Sequence, residues 1–373
     1  MMGIADRQTA VLSRWLLARH RRPRGKPQWT LGIYKADRLG DFVLAIGVIR
    51  RLVASVGAER TVLVLTRHAE ALAAREFPGV SRVIVDPTRS GVGAAAVELW
   101  RRRREPIFQA GVEKLVCLRH HRLPAESVIA GGIPAGRSWG AVNSLLAGRE
   151  SRLADWPLDQ RVDPLPAAPG ECLELACHRA VLSAYLGVAV EPGDIDPVLE
   201  PGWSAVGSRA VATPFGSDPI RDIPRPLLAA AARHLREVHG LGLDLLCPPG
   251  PVERFPELAA WLFLEGCPDV RIACCETTER LRTALCGSRL VLSAETGTAH
   301  MATALDAPLV AFLGGGHIGW FAPWARSRRQ HWVTEPVACQ GCSWYCHRPS
   351  VECLTGIPVG RVLRTIDAAI AAG

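Results

Sequence analysis

Lysine is almost missing from this chain: Lys26, Lys35 and Lys114 are the only three among its 44 lysines and arginines. Any anion must therefore be held by arginine, whose planar fork suits phosphate and carboxylate bidentately. Arginine in place of lysine is also what the codon usage of a GC-rich genome produces. The formal charge of +8 thus does not by itself argue for nucleic acid. The basic runs at 21–24 and 101–104 lack the interleaved aromatics of a base-stacking platform, so no nucleic-acid partner is expected. No uninterrupted apolar run reaches the roughly 18 residues of a membrane span. The best stretch, Met301 to Ala325, is broken by Asp306, Pro308 and a run of glycines. The N-terminal residues show no apolar signal core with a small-residue cleavage site, which predicts a cytoplasmic protein.

What is present is a globular composition, 48% apolar and 21% charged over 373 residues. That is enough chain for two domains, each with its own core. Residues 1–28 form a basic lead-in whose Val11, Leu12, Trp15, Leu16 and Leu17 recur at helical spacing. Such a helix packs on the first domain or makes a peripheral membrane contact at the inner face. From Leu31, short apolar runs alternate with amphipathic stretches. Strands are predicted at 31–35, 61–66, 82–86 and 114–119, with helices at 42–56 and 69–77. Solid apolar strands separated by helices imply a parallel sheet covered on both faces. After Pro- and Gly-rich intervals at 163–170 and 191–207, with a helix at 172–186 between them, the alternation restarts. Strands are then predicted at 210–213, 243–247, 270–275, 289–293 and 309–313, with helices at 226–239, 253–264, 278–286 and 359–372. The fold class is α/β: two Rossmann-like, doubly wound domains, 29–200 and 201–373, facing each other across a cleft in the GT-B manner.

Two strand-to-helix junctions carry chemistry. The first is Lys35-Ala36-Asp37-Arg38-Leu39-Gly40-Asp41. Gly40 permits a tight turn, and Asp41 reads either as the cap of the helix that follows or as a general base at the strand's carboxyl end. Spacing alone favours the cap. The second is Ser293-Ala294-Glu295-Thr296-Gly297-Thr298-Ala299-His300. Two hydroxyls, a glycine and the free N–H groups of a helix start suit a diphosphate, and His300 falls one turn into that helix. The run Gly314-Gly315-Gly316-His317 makes another backbone-rich loop just after the next strand.

These two blocks, the first continued by Phe42-Val43-Leu44 and the second by Met301-Ala302-Thr303-Ala304-Leu305, resemble the hallmark blocks of the family 9 glycosyltransferases. Those are the ADP-heptose heptosyltransferases of lipopolysaccharide synthesis and their relatives. The segments Tyr185-Leu186-Gly187 and 314–323 are similar as well, and the likeness runs from Leu31 to about Ile366. It implies a transferase moving heptose from an ADP-sugar donor, with inversion, onto a glycan or protein acceptor. It makes Asp41 the general base, with Gly40 in its turn, and has Glu295, Thr296, Gly297, Thr298 and His300 hold the donor. Many members carry aspartate where Glu295 stands. Arg221 takes the place of the family's phosphate-neutralising cation, since no lysine follows Lys114, and Glu253 that of its nucleoside-contacting acid. No Asp-x-Asp pair is placed for magnesium beside a diphosphate, so no catalytic metal is expected. Two other readings stay open: a transferase or epimerase using another nucleotide sugar, and a non-catalytic binding module.

Twelve cysteines are many. Cys117, Cys247, Cys274 and Cys275 fall in strand-like apolar runs, where a thiol behaves as a small buried hydrophobe. Cys339, Cys342, Cys346 and Cys353 instead cluster within 15 residues, Gly341 lying between the first two. Four thiols so spaced match a tetrahedral metal site, and a reducing cytoplasm disfavours disulfides. The segment resembles the cysteine finger of bacterial autotransporter heptosyltransferases, in which the metal is iron. Structural iron or zinc is expected here, stapling a loop near the domain junction. Self-association is left open.

Overall fold

The computed structural model describes residues 22–23, 25–86, 91–142, 155–204, 206–247 and 253–373. The helix predicted in the basic lead-in lies outside them. Contacts divide the chain into two units: one runs to Ala168 and resumes over Leu173–Pro197, and the other joins Pro169–Cys172 to Val198–Gly373.

The first unit is built on a six-stranded sheet. Its strands are β1 (Trp29–Lys35), β2 (Thr61–Leu65), β3 (Ser81–Ile84), β4 (Val112–Cys117), β5 (Ala135–Ala141) and β6 (Gln160–Val162). They lie in the order β3-β2-β1-β4-β5-β6, every pair parallel. The second unit repeats the design with β7 (Arg209–Thr213), β8 (Gly242–Cys247), β9 (Val270–Cys274), β10 (Val291–Ala294), β11 (Leu309–Phe312) and β12 (Gln330–Val333). Their order is β12-β11-β10-β7-β8-β9, again all parallel. Both are Rossmann-type orders. In each, the chain reverses its direction of winding between two central strands, β1 and β4 in one sheet and β7 and β10 in the other. Ligands of open α/β sheets bind beyond the carboxyl ends of such a strand pair.

The central strands read as solid apolar runs because helices cover both faces. Leu31, Ile33, Val62, Val64, Leu292 and Phe312 are all wholly buried, each contributing roughly 1.5–3 kcal/mol by its removal from water. Among the described residues, no helix is long and apolar enough to cross a membrane.

The structure differs from the sequence expectation in several places. The helix expected over 42–56 is two, Leu39–Leu44 and Ile46–Val56, broken at Ala45. In the second of these, Gly47 has no room for a side chain: a Cβ there would stand 1.9 Å from the Ile195 carbonyl oxygen. Strands β5, β6 and β12 are additional. They carry few apolar residues and are held by their neighbours' register rather than by their own pattern. Cys117, Cys247 and Cys275 are buried as expected, but Cys274 is exposed, because β9 is an edge strand with its outer face in water.

Candidate functional site

At the switch point of the second sheet, the loop after β7 carries Arg221 and the loop after β10 carries Glu295. The two meet, with Arg221 Nη2 3.1 Å from Glu295 Oε1. Glu295 is almost wholly buried, and burial pushes its carboxyl up to about 7 even though the Arg221 charge pulls the other way. Two polar atoms of this pair, Arg221 Nε and Glu295 Oε2, are buried with no hydrogen-bond partner. A buried group so placed is costly unless something meets it. Below them Thr213 Oγ1 and Ser293 Oγ, 2.7 Å apart, tie β7 to β10.

Helix Gly297–Ala304 follows Glu295, with Thr296 as its N-cap residue and Gly297 and Thr298 opening its first turn, half-buried. Their N–H groups are those an anion at a helix start uses. His300 lies deeper than the sequence implied. Burial first, and the Arg221 charge second, lower its pKa to about 3, so the ring is neutral. Its Nδ1 accepts a hydrogen bond from Trp324 Nε1 at 2.9 Å, which leaves the ring proton on Nε2. His300 can thus donate one hydrogen bond to a ligand but cannot neutralise a phosphate. Trp324 stacks on the ring at 6.2 Å and Trp332 tilts against it at 5.6 Å. Neither tryptophan was singled out from the sequence.

Glu253 is exposed at the N-cap of helix Arg254–Leu264 and makes no side-chain cap. Its neighbour Arg254 pairs with Asp222 and stands 3.9 Å over the ring of Phe215. The structure therefore brings Arg254, not Glu253, against the loop that holds Arg221.

The switch point of the first sheet holds Asp41. It is not the helix cap that spacing favoured: Arg38 is the N-cap, and Asp41 sits in the first turn of Leu39–Leu44. Gly40 is buried inside this helix and has no left-handed φ, so it does not make the tight turn expected of it. Asp41 Oδ2 lies 3.9 Å from Arg119 Nη1, and Arg119 also binds Asp37 and, at 3.0 Å, Glu126. Behind them the wholly buried Lys35 donates to Glu174 at 2.6 Å and to the Leu118 carbonyl at 3.3 Å. Burial alone would raise the Glu174 carboxyl, but Lys35, His120 and His178 together hold it well below its ordinary value. This polar network was not read from the sequence, although a lysine closing an apolar strand was its signal.

Cys339, Cys342, Cys346 and Cys353 all line one cavity of ≈ 10 Å³, room for a single atom-sized occupant. The four thiols are unpaired by disulfide. Left-handed φ angles at Gly341, Ser343 and Trp344 fold the segment back on itself. This donor set fits one iron or zinc ion. No three of these sulfurs lie within 4.8 Å of one another, however. Among the described residues the one trio of His, Cys, Asp or Glu ligand atoms all within 4.8 Å of one another is His234, His239 and Asp367. There both imidazole Nε2 atoms reach Asp367 Oδ1, at 2.6 and 2.8 Å, and clamp helix Arg225–His239 to helix Val359–Ala371.

No family model and no curated protein matches this chain. Solved structures do. The Escherichia coli heptosyltransferase WaaC, determined with ADP, superposes with a TM-score of 0.63 over 91% of this chain and 99% of its own, at 16% identity. A family 9 glycosyltransferase from Veillonella parvula gives 0.63 over 94% and 99%, at 13% identity. The iron-containing dodecameric glycosyltransferase TibC of enterotoxigenic E. coli gives 0.51 over 92% and 76%, at 12% identity. The fold is that of the GT-B transferases.

Proposed function

We propose that the chain is an inverting glycosyltransferase that moves heptose from an ADP-sugar donor to a hydroxyl of a glycan or protein acceptor. The observation that carries this reading is the Arg221–Glu295 pair at the β7–β10 switch point, beside a helix start, with a buried polar atom on each partner left without a hydrogen bond. A cation, an acid and helix N–H groups are what a nucleotide sugar needs: charge for the diphosphate and an acceptor for a sugar hydroxyl.

In this mechanism Asp41 takes the acceptor hydroxyl's proton as that oxygen bonds to the anomeric carbon. The bond from that carbon to the diphosphate breaks on the opposite face, which inverts the centre, and ADP carries away the bonding pair. Arg221 and the N–H groups after Thr296 stabilise the charge growing on the leaving diphosphate. His300 donates through Nε2, and Glu295 orients the sugar. Glu253 or Arg254 contacts the nucleoside. Cys339, Cys342, Cys346 and Cys353 would hold iron or zinc, which when bound supplies a structural crosslink. The cavity that all four line supports this reading, as does the iron in TibC.

Nucleotide-linked thermal stabilisation tests the donor. ADP should raise Tm well above any shift from UDP at equal concentration, since only a ligand of the folded state stabilises it. A larger shift with UDP would replace the ADP-heptose reading with that of another nucleotide-sugar enzyme.

A further inference from the structure

We infer that Trp344 is a positioning residue of the donor site, through which the cysteine-rich segment holds Arg221 in place. The nucleotide part of this inference rests on the function proposed above. The contact itself does not.

The observations begin with the glycine run after β11. A Cβ built on Gly314 would meet the Trp344 ring at 2.1 Å, and one on Gly316 would meet it at 2.5 Å. The run is therefore a seat for an indole. Backbone bonds fix the segment to that seat: Gly341 N–H donates to the Gly315 carbonyl at 2.8 Å, and Ser343 N–H to the Gly316 carbonyl at 3.0 Å. Trp344 Nε1–H donates to His317 Nδ1 at 3.2 Å, which fixes the ring's rotation. Trp344 also holds a left-handed φ of 65°, a conformation disfavoured for a large side chain. Such a cost persists where surrounding contacts over-determine it.

The face that this seating presents meets Arg221, whose guanidinium carbon lies 5.1 Å from the ring centroid. Arg221 is then held on two sides, by the Glu295 carboxylate at its edge and the indole at its face. An aromatic face attracts a guanidinium through the ring quadrupole and keeps water off it. Without the indole, a long and rotamer-rich side chain keeps a 3.4 Å hydrogen bond to the exposed Ser217 hydroxyl and an acid that burial drives toward its neutral form. The cation would then leave the switch point for part of the time. Trp344 touches no reacting atom. It acts through Arg221.

Trp344→Ala, Trp344→Phe and Gly316→Ala test this in the full chain, with two readouts. The first is phenylglyoxal labelling of Arg221, mapped by mass spectrometry, which needs no activity. Labelling should rise severalfold in Trp344→Ala and in Gly316→Ala, whose new Cβ displaces the indole. In Trp344→Phe, which keeps an aromatic face, it should stay near wild type. The second readout is ADP affinity by calorimetry, expected to fall about tenfold in Trp344→Ala, the size of a partly desolvated cation–π contact, and to recover in Trp344→Phe. Unchanged labelling in a folded Trp344→Ala or Gly316→Ala protein overturns the inference, whatever happens to ADP. Raised labelling with wild-type ADP affinity overturns the positioning role. If labelling rises while the wild-type protein binds no nucleoside diphosphate, the contact stands and the donor reading fails.

Discussion

Arg221 and Glu295 meet 3.1 Å apart, each from the loop beyond a central strand of the second sheet, yet Glu295 titrates near 7. One guanidinium does not offset the burial of that carboxylate. Its Oε1 meets the arginine, and its Oε2 is left buried and unmet.

This gives a pH dependence with a definite sign. The folded pKa of Glu295 is raised above its unfolded value. Its contribution to stability is therefore complete below about pH 4.5 and lost as pH rises through about 7. Glu295→Gln removes that dependence. Measured by urea unfolding, the variant should gain on wild type by up to about 3 kcal/mol between pH 5 and pH 9. A difference that stays flat across that range would mean the carboxyl is not perturbed.

Asp41→Asn should lower turnover by about 100-fold or more, as loss of a general base does. ADP affinity and Tm should barely move, because Arg38 rather than Asp41 is the residue at the helix N-cap. Near-normal turnover in the asparagine variant would remove Asp41 from catalysis.

Lys35 and Glu174 form a buried pair at 2.6 Å beneath that junction. Removing Lys35 takes away the cation nearest Glu174 and leaves that buried carboxylate to His120 and His178. Lys35→Met should therefore cost about 3–5 kcal/mol of stability, and Lys35→Met with Glu174→Gln should recover part of it. A double variant no more stable than Lys35→Met would contradict the pairing.

The sequence made much of this legible, and where it failed the reasons are physical. Solid apolar runs marked β1, β2, β4, β10 and β11, because burial on both faces leaves a pattern that needs no partner to recognise. It could not mark β5, β6 or β12, whose residues owe their place to neighbouring strands. Strand order is equally invisible to local pattern. It is strand order that sets the Glu295 junction beside the loop holding Arg221. Asp41 and the block from Glu295 to His300 stood out as junction residues, but the neutral state of His300 follows from burial and the Arg221 charge, and its tautomer from Trp324, 24 residues on. The cysteine segment was read from the sequence only as a loop stapled by a metal. Its Trp344 also lies against Arg221, a contact that positive φ angles in a short irregular stretch made unreadable beforehand.

For the cysteine segment, purified protein should carry about one iron or zinc per chain, as four thiolates at one site allow. Cys342→Ser should lose the metal in elemental analysis and lower Tm. Stoichiometric zinc or iron retained in that variant would place the ion elsewhere.

The most direct measurement is release of nucleoside diphosphate from a panel of sugar donors, wild type against Asp41→Asn, with a glycan or protein acceptor supplied. The account predicts ADP released from ADP-heptose by wild type alone. Release of UDP, GDP or dTDP in preference to ADP, or equal ADP release by Asp41→Asn, would contradict it.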